Sequence, residues 1–333
     1  MSLDRVLQPL VACVGNPVGG NPTQYVMSRL AREAELDWRF FTSQVSEDSL
    51  QSAFRGIQAL GMAGAAILPP FQMAVQPFLD SLTPRAQALG RVHVVKGEQG
   101  TEGGTDRWVG DETLTTAILR ALTHRFYKQV SQGELDSENS FSPQTLVVIG
   151  DQKLADSLRL GLIDIPGDYQ VVCFEELMNP QGSSCHSEPD PSSSRREGTP
   201  HDGVPNQAHP LEATSIEESR DGVEFGRQRP VRALIIESID AMMNAPSHAR
   251  NRFLKELVWT PHPVGLLVPP AKGWLEDSLL HSEELEVLEQ FSLDWIDELD
   301  VMVHQAAVNF EFWTGYEPEL EGIRESLEEY LQW

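Results

Sequence analysis

Basic side chains are scarce in this sequence of 333 residues. Only 25 lysines and arginines stand against 50 acids, which gives a formal net charge of −25. Nucleic acid would be repelled over most of such a surface, so a binder that depends on phosphate contacts is excluded. The acids are concentrated in residues 276–333, where Arg324 is the single base. We expect solvated helical faces there, with a docking surface for a basic partner as the alternative.

Cysteines and long apolar runs are also few. Cys13, Cys173 and Cys185 form neither a disulfide framework nor a zinc-type spacing, which favours a reducing compartment. No apolar run approaches the roughly 18 residues of a membrane span, and the N-terminus lacks the basic segment of a signal peptide. The sequence therefore predicts a cytoplasmic protein without a membrane or nucleic-acid partner, and it identifies no protein partner.

Strand-like and helix-like runs alternate along the chain, beginning with the apolar run at 10–14. Helical spacing or capping residues predict helices at 71–89, 111–130 and 293–312, among others. Such an alternation is typical of an α/β protein with a largely parallel sheet and helices on both of its faces.

Residues 178–229 differ in composition from the rest. They are rich in proline, serine, glycine and charge and nearly free of large apolar residues, so we expect a disordered insertion. Cys185, His186, His201 and His209 lie in it, but their spacing matches no compact metal site.

Several motifs are similar to those of one family. They are Gly15-Asn16-Pro17-Val18 after the first strand, Leu60-Gly61-Met62-Ala63-Gly64, and a late run from Met302 through Gln305 to Phe310, Trp313 and Gly315. Residues 107–122 also align without gaps. With these motifs the chain resembles the shikimate dehydrogenase family. We expect Phe310 and Trp313 to be packing residues.

The resemblance implies an architecture and an activity. Residues 1–130 would form an α/β substrate domain, residues 140–177 and 230–295 a Rossmann-type domain interrupted by the insertion, and helices in 296–333 would return to the first domain. The family reduces 3-dehydroshikimate to shikimate with NADPH in aromatic amino-acid biosynthesis.

The catalytic pair of the family is a lysine and an aspartate. In the alignment they fall on Gln72 and Leu114, neither of which exchanges a proton near neutral pH. Asp111, one helical turn before Leu114, is a weak alternative as an acid–base group, or else it caps the helix.

The substrate-contacting positions are also changed. Gln305 is retained, whereas His93 replaces an asparagine, Leu68 replaces a threonine, and the loop that should carry two serines has Asn21. His93 either donates a hydrogen bond to a ligand or is a satisfied interior histidine.

The nucleotide turn of the family is rich in glycine because the backbone must approach a pyrophosphate. Here Gly150, Asp151 and Lys153 stand at that turn. The family's Asn-Arg-Thr after the next strand matches Cys173-Phe174-Glu175, so the arginine that pairs with the 2′-phosphate is missing, and Glu175 either holds a ribose, as in NAD sites, or is an ordinary acid at a strand end. We expect no cofactor, and NADP or NAD if the protein is active.

Two hypotheses follow for function. The first is a shikimate dehydrogenase-like binding or regulatory module without the family's activity, with a small-molecule ligand in the interdomain cleft. The alternative is an NAD(P)-dependent oxidoreductase for shikimate, quinate or a related small polyol, with His93 or Asp111 as its acid–base group.

Overall fold

The computed structural model describes residues 8–98, 107–133, 144–162, 168–174, 176, 230–238, 257, 259–269 and 292–332. The strands are β1 (Leu10–Gly15), β2 (Arg39–Gln44), β3 (Gly64–Ile67), β4 (Ser81–Leu82), β5 (Val94–Glu98), β6 (Arg107–Asp111), β7 (Gln144–Ile149), β8 (Tyr169–Cys173), β9 (Val231–Ile236), β10 (Trp259–Leu267) and β11 (Asp294–Ile296). The helices are α1 (Thr23–Glu33), α2 (Leu50–Ala59), α3 (Pro84–Leu89), α4 (Leu114–Ser131), α5 (Gln152–Gly161), α6 (Glu298–Thr314) and α7 (Leu320–Leu331).

The first sheet has six strands in the order β2-β1-β3-β5-β6-β4. β1 is parallel to β2 and β3, but β5 is antiparallel to both β3 and β6. β4 is parallel to β6, so five strands of this six-stranded sheet run in one direction and β5 is reversed, and the sheet is largely parallel as predicted. Short, fully buried runs such as β3 carry no signal for strand direction, since both of their faces are apolar in either orientation.

The second sheet has five strands in the order β11-β10-β9-β7-β8, and every pair in it is parallel. β7 and β9 lie at its centre and are buried at every position, as expected for strands that helices cover on both faces. The α/β class predicted from the sequence is confirmed by these two sheets.

The last two helices pack on the first sheet, although they follow the second sheet in the chain. Met302, Phe310 and Trp313 of α6 share a core with Val11 and Phe40. The Trp313 indole Nε1 donates to the Val95 carbonyl at 3.0 Å. α6 thereby connects the C-terminal segment to the centre of the N-terminal sheet, and both predicted packing residues are buried.

Three predicted helices differ from the structure. The expected helix at 111–130 starts at Leu114, because Asp111 still belongs to β6 and pairs with Val94. The first residues of the helix expected at 293–312 form β11 instead, and the helix, α6, starts at Glu298. Asp297 caps α6 because its side chain accepts from the Asp300 amide at 2.8 Å.

The segment expected as one helix at 71–89 contains a 3-10 turn at Gln76–Phe78, then β4 and α3. Two prolines explain the break. Pro77 lies in the 3-10 turn, and Pro84 starts α3 directly after Thr83, whose side chain accepts from the Ala86 amide.

Some predictions concern residues that the structure does not describe. The insertion at 178–229 with its cysteine and histidines lies outside the described residues, as does Glu175. Within the described ranges, no helix is long and apolar enough to cross a membrane, and no group of three or more histidine, cysteine, aspartate or glutamate side chains could hold a metal ion.

Candidate functional site: the cleft between the two sheets

A cleft lies where the two sheets face each other. It is lined by Leu68, Gln72, His93 and Leu114 from the N-terminal part of the chain, by Gln305 of α6, and by Glu237 and Pro269, which follow β9 and β10 of the second sheet. The structure therefore brings together five of the positions predicted from the sequence. The cavity has a volume of about 90 Å³, well below the roughly 300–1,000 Å³ of ordinary ligand sites. The cleft is thus narrow.

Gln72 and Leu114, the two positions predicted to align with the family's lysine and aspartate, both line the cleft. The Gln72 carbonyl accepts from the Val92 amide at 2.9 Å, which fixes its backbone next to the strand that carries His93. Leu114 is buried at the start of α4. A neutral amide and an alkyl chain can position a ligand, but neither can move a proton.

His93 has a buried carboxylate behind it. Its Nδ1 lies 3.4 Å from Glu112 Oε1, and Glu112 is fully buried. The Thr113 amide also lies 3.4 Å from Nδ1. Nδ1 can therefore accept from that amide when the ring is neutral and donate to Glu112 when the ring is protonated.

Glu112 stays charged in this setting. Burial alone would raise the pKa of Glu112, but the hydrogen bond and charge of His93 and the hydrogen bonds of Thr115 lower it below its ordinary value. The Thr115 amide donates to Glu112 Oε1 at 2.9 Å. The pair resembles the general arrangement of an imidazole oriented by a carboxylate.

Asp111 has a structural role instead. Its Oδ1 accepts from the Thr83 hydroxyl and from the Glu112 amide, and its Oδ2 lies 3.6 Å from Arg85. Asp111 is not among the residues that line the cleft in the described part of the chain. The interpretation of Asp111 as a helix cap is wrong because it ends a strand, and its position does not favour the acid–base alternative.

Two side chains of α6 offer polar atoms to the cleft. Gln305 Nε2 lies 3.5 Å from the Thr113 hydroxyl. Asn309 also lines the cleft, and its Oδ1 is buried without a hydrogen-bond partner among the described residues. An unsatisfied buried acceptor of this kind costs free energy unless a ligand or water donates to it.

Asn21 does not join the group. Its Oδ1 accepts from the Thr23 amide at 3.0 Å, and its side chain lines a separate surface pocket near α1. Its sequence position predicted a substrate contact, but its carboxamide oxygen pairs with a backbone amide in the first turn of α1. Thr23 lines the cleft instead of Asn21.

The turn between β7 and α5 is where the family would bind a nucleotide phosphate. Gly150 has φ of +156°, and Asp151 caps α5 by accepting from the Lys153 amide at 3.0 Å. The Asp151 amide, which would face a phosphate, donates to Glu237 Oε2 at 2.8 Å. As arranged here, the turn does not fit a pyrophosphate, because a carboxylate of the chain already accepts from the amide.

Sequence reasoning missed Arg91, Glu112, Glu237 and Asn309. Glu237 directly follows a buried strand, which is a usual place for ligand-binding residues in parallel sheets. Asn309 lies four residues after Gln305, hence on the same face of α6. Both signals were available, whereas nothing local marks Glu112 as buried.

Known proteins resemble this chain in sequence and in fold. The model of the shikimate dehydrogenase substrate binding domain matches residues 13–95. Shikimate dehydrogenase (NADP(+)) of Bacillus subtilis (strain 168) is 22% identical over 322 residues, which cover 96% of each chain. Shikimate 5-dehydrogenase of Thermus thermophilus, solved in complex with NADP(H) and shikimate, matches with a TM-score of 0.55 at 15% identity over 97% of this chain and 100% of that chain. The ligand-free 5-ketofructose reductase of a Gluconobacter strain matches with a TM-score of 0.54 at 16% identity over 97% of this chain and 99% of its own.

These comparisons correct the expectation that no cofactor is involved. The B. subtilis relative is an NADP(+) enzyme, and the T. thermophilus structure contains NADP(H). The substitutions at the turn therefore do not by themselves exclude a nucleotide.

The substrate binding domain, the similarity along almost the whole chain and the shared two-sheet fold support one conclusion. The resemblance predicted from the sequence is confirmed: the chain is similar to shikimate dehydrogenases along almost its whole length, and its residues 13–95 match their substrate binding domain.

Proposed function

We propose that this protein binds a small hydroxylated carboxylic acid in the cleft and does not carry out the hydride transfer of its family. The observation that carries the proposal is the Asn309 Oδ1, a buried acceptor without a partner in the described chain that lines the same cavity as Gln72 and Gln305. A ligand hydroxyl would supply the missing donor.

The replaced catalytic pair supports the loss of activity. General acid–base catalysis contributes roughly 10²–10⁴ in rate, and at the two positions that would supply it stand Gln72 and the buried Leu114. The polar groups that remain in the cleft can orient hydroxyl groups, which is sufficient for binding.

Calorimetric titration with shikimate and with quinate tests the binding. We expect Asn309→Leu to weaken binding about tenfold, the value of one hydrogen bond of roughly 1.4 kcal/mol. The melting temperature should stay the same or rise, because an unsatisfied acceptor is removed. Gln87→Leu, on an exposed face of α3 outside the cleft, is the matched control and should bind as the wild type does.

Two results would contradict the proposal. One is equal affinity in wild type and Asn309→Leu. The other is a lower melting temperature in Asn309→Leu with unchanged binding, which would show that the carboxamide has only a structural role.

The His93–Glu112 pair favours a second candidate, an oxidoreductase with a changed site. His93 would take or give the proton of the reacting hydroxyl, and Glu112 would stabilise the protonated ring across 3.4 Å. His93→Asn, which restores the residue that the family resemblance implies, separates the two candidates. Two results together would favour the oxidoreductase. The wild type turns over shikimate, quinate or a small polyol with a pH profile that follows one ionisation, and His93→Asn loses this turnover. No wild-type turnover on any of them would exclude these substrates.

A further inference from the structure

The turn between β7 and α5 holds a carboxylate that comes from the chain itself. Glu237 follows β9, and its backbone amide donates to the Ile149 carbonyl at 2.9 Å, so the residue is fixed beside the end of β7. From there Oε2 accepts from the Asp151 amide at 2.8 Å. This amide points out of the N-terminus of α5, where dinucleotide-binding folds hold phosphate.

The one glycine retained in this turn serves the same contact. A side-chain carbon at Gly150 would lie 2.7 Å from Glu237 Oε2 and 2.6 Å from Glu237 Cβ. In a nucleotide site such a glycine lets the backbone approach a phosphate. Here it lets the backbone approach the Glu237 side chain.

The second oxygen of Glu237 reaches the other half of the protein. Oε1 lies 3.4 Å from Arg91 Nη1, and the two side chains are 15% and 22% exposed. Arg91 precedes His93 by two residues, and both Arg91 and Glu237 line the cleft. The ion pair between Arg91 and Glu237 therefore spans the narrow cleft, whose cavity has a volume of about 90 Å³.

We propose that Glu237 is a built-in competitor for the nucleotide phosphate, and that its ion pair with Arg91 closes the cleft when no nucleotide is bound. A dinucleotide enters by displacing the carboxylate from the Asp151 amide, and the cleft is then free to widen. This inference rests on the proposed function, because it assigns a means of regulating access to the same cleft. It concerns the binding of the nucleotide and not that of the hydroxylated ligand.

NADP⁺ titration by calorimetry on the full chain tests the proposal, with Glu237→Ala as the main variant and Glu237→Gln as the conservative one. Glu237→Ala frees the amide and removes a charge-assisted hydrogen bond, so NADP⁺ should bind about tenfold more tightly or better. Glu237→Gln removes the charge but keeps an acceptor, and its gain should be smaller. Glu311→Gln removes a carboxylate whose partner, Arg120, lies 2.7 Å away outside the cleft, and it should leave the NADP⁺ affinity unchanged.

Arg91→Gln separates the effect of the ion pair with Arg91 from the effect of the Glu237 carboxylate on the Asp151 amide. It breaks the ion pair and leaves Glu237 on the amide, so its gain in NADP⁺ affinity should be smaller than that of Glu237→Ala. Unchanged affinity in Glu237→Ala, or no NADP⁺ binding by any variant, would overturn the proposal. Shikimate titrations of the same proteins report separately on the proposed function, since they measure a ligand that does not need the Asp151 amide.

Discussion

Replacing His304 by leucine should make the protein less sensitive to acid. His304 lies in α6, is 6% exposed and faces His124 of α4 edge-on, with 5.6 Å between the ring centroids. Burial, and after it the positive charges of His124, Arg120 and Arg324, lower the pKa of His304 from 6.5 to about 4. Protonation of this ring in the folded protein is therefore unfavourable.

The size of the effect follows from the two pKa values. Between them the unfolded chain binds a proton that the folded chain does not bind, so the free energy of unfolding decreases as the pH falls. With 6.5 for the unfolded state and about 4 for the folded state, the loss at pH 5 relative to neutral pH is about 2 kcal/mol.

Urea unfolding near pH 7.5 and near pH 5 measures this loss. The wild type should lose about 2 kcal/mol more than His304→Leu between the two conditions. Contributions of the many carboxylates are common to both proteins and cancel in the difference. His124→Gln, at an exposed position on α4, should keep most of the wild-type pH dependence. Equal losses in wild type and His304→Leu would refute the reasoning.

Two further predictions, tested with three variants, concern other parts of the fold. Burial and the charge of Asp297 raise the pKa of Glu298 to about 7. The wild type therefore loses stability as the pH rises from about 4.5 to 7. Glu298→Gln should be more stable than the wild type by about 1–2 kcal/mol near pH 8 and equally stable near pH 4. Thermal melts at the two pH values check this, and an equal difference at both would argue against a titrating carboxyl. At Gly64 a side-chain carbon would lie 2.3 Å from the Val95 carbonyl and 2.7 Å from Trp313 Nε1, so Gly64→Ala should destabilise by about 1–3 kcal/mol. At Gly56 in α2 a side-chain carbon would meet no heavy atom of the described chain within 4 Å apart from its two chain neighbours and the backbone of its own helix, so Gly56→Ala should instead stabilise by about 0.5–1 kcal/mol. Similar melting temperatures for Gly64→Ala and Gly56→Ala would contradict the close approach at Gly64.

Much of the fold could be predicted from local patterns. β9 was predicted with its observed bounds because five of the six residues Val231–Ile236 are apolar, Arg232 being the exception, as expected for the centre of a parallel sheet. The motif around Trp313 correctly indicated packing, since a long apolar face with an indole requires a partner sheet. The reversed direction of β5 and the strand that ends at Asp111 could not be predicted, because both depend on the pairing of β5 with β3 and β6, which local patterns do not show.

The sequence predicted which residues lie around the cleft better than it predicted which groups they contact. The alignment placed Gln72, His93 and Leu114 around one cleft, and the structure does the same. The contacts of Glu112 and Glu237 could not be foreseen, since one carboxylate is buried by tertiary packing and the other is brought to Asp151 by an adjacent strand. Residue type alone does not tell a solvated acid from one that occupies a binding position.

The most direct test of the central claim is a single absorbance measurement at about 340 nm, where NADPH absorbs, with the purified protein, shikimate and NADP⁺. The proposed loss of proton transfer, with Gln72 and Leu114 at the positions aligned with the family's lysine and aspartate, predicts no increase above the rate without protein, whereas B. subtilis shikimate dehydrogenase assayed in parallel should form NADPH. Shikimate-dependent formation of NADPH by this protein would contradict the account.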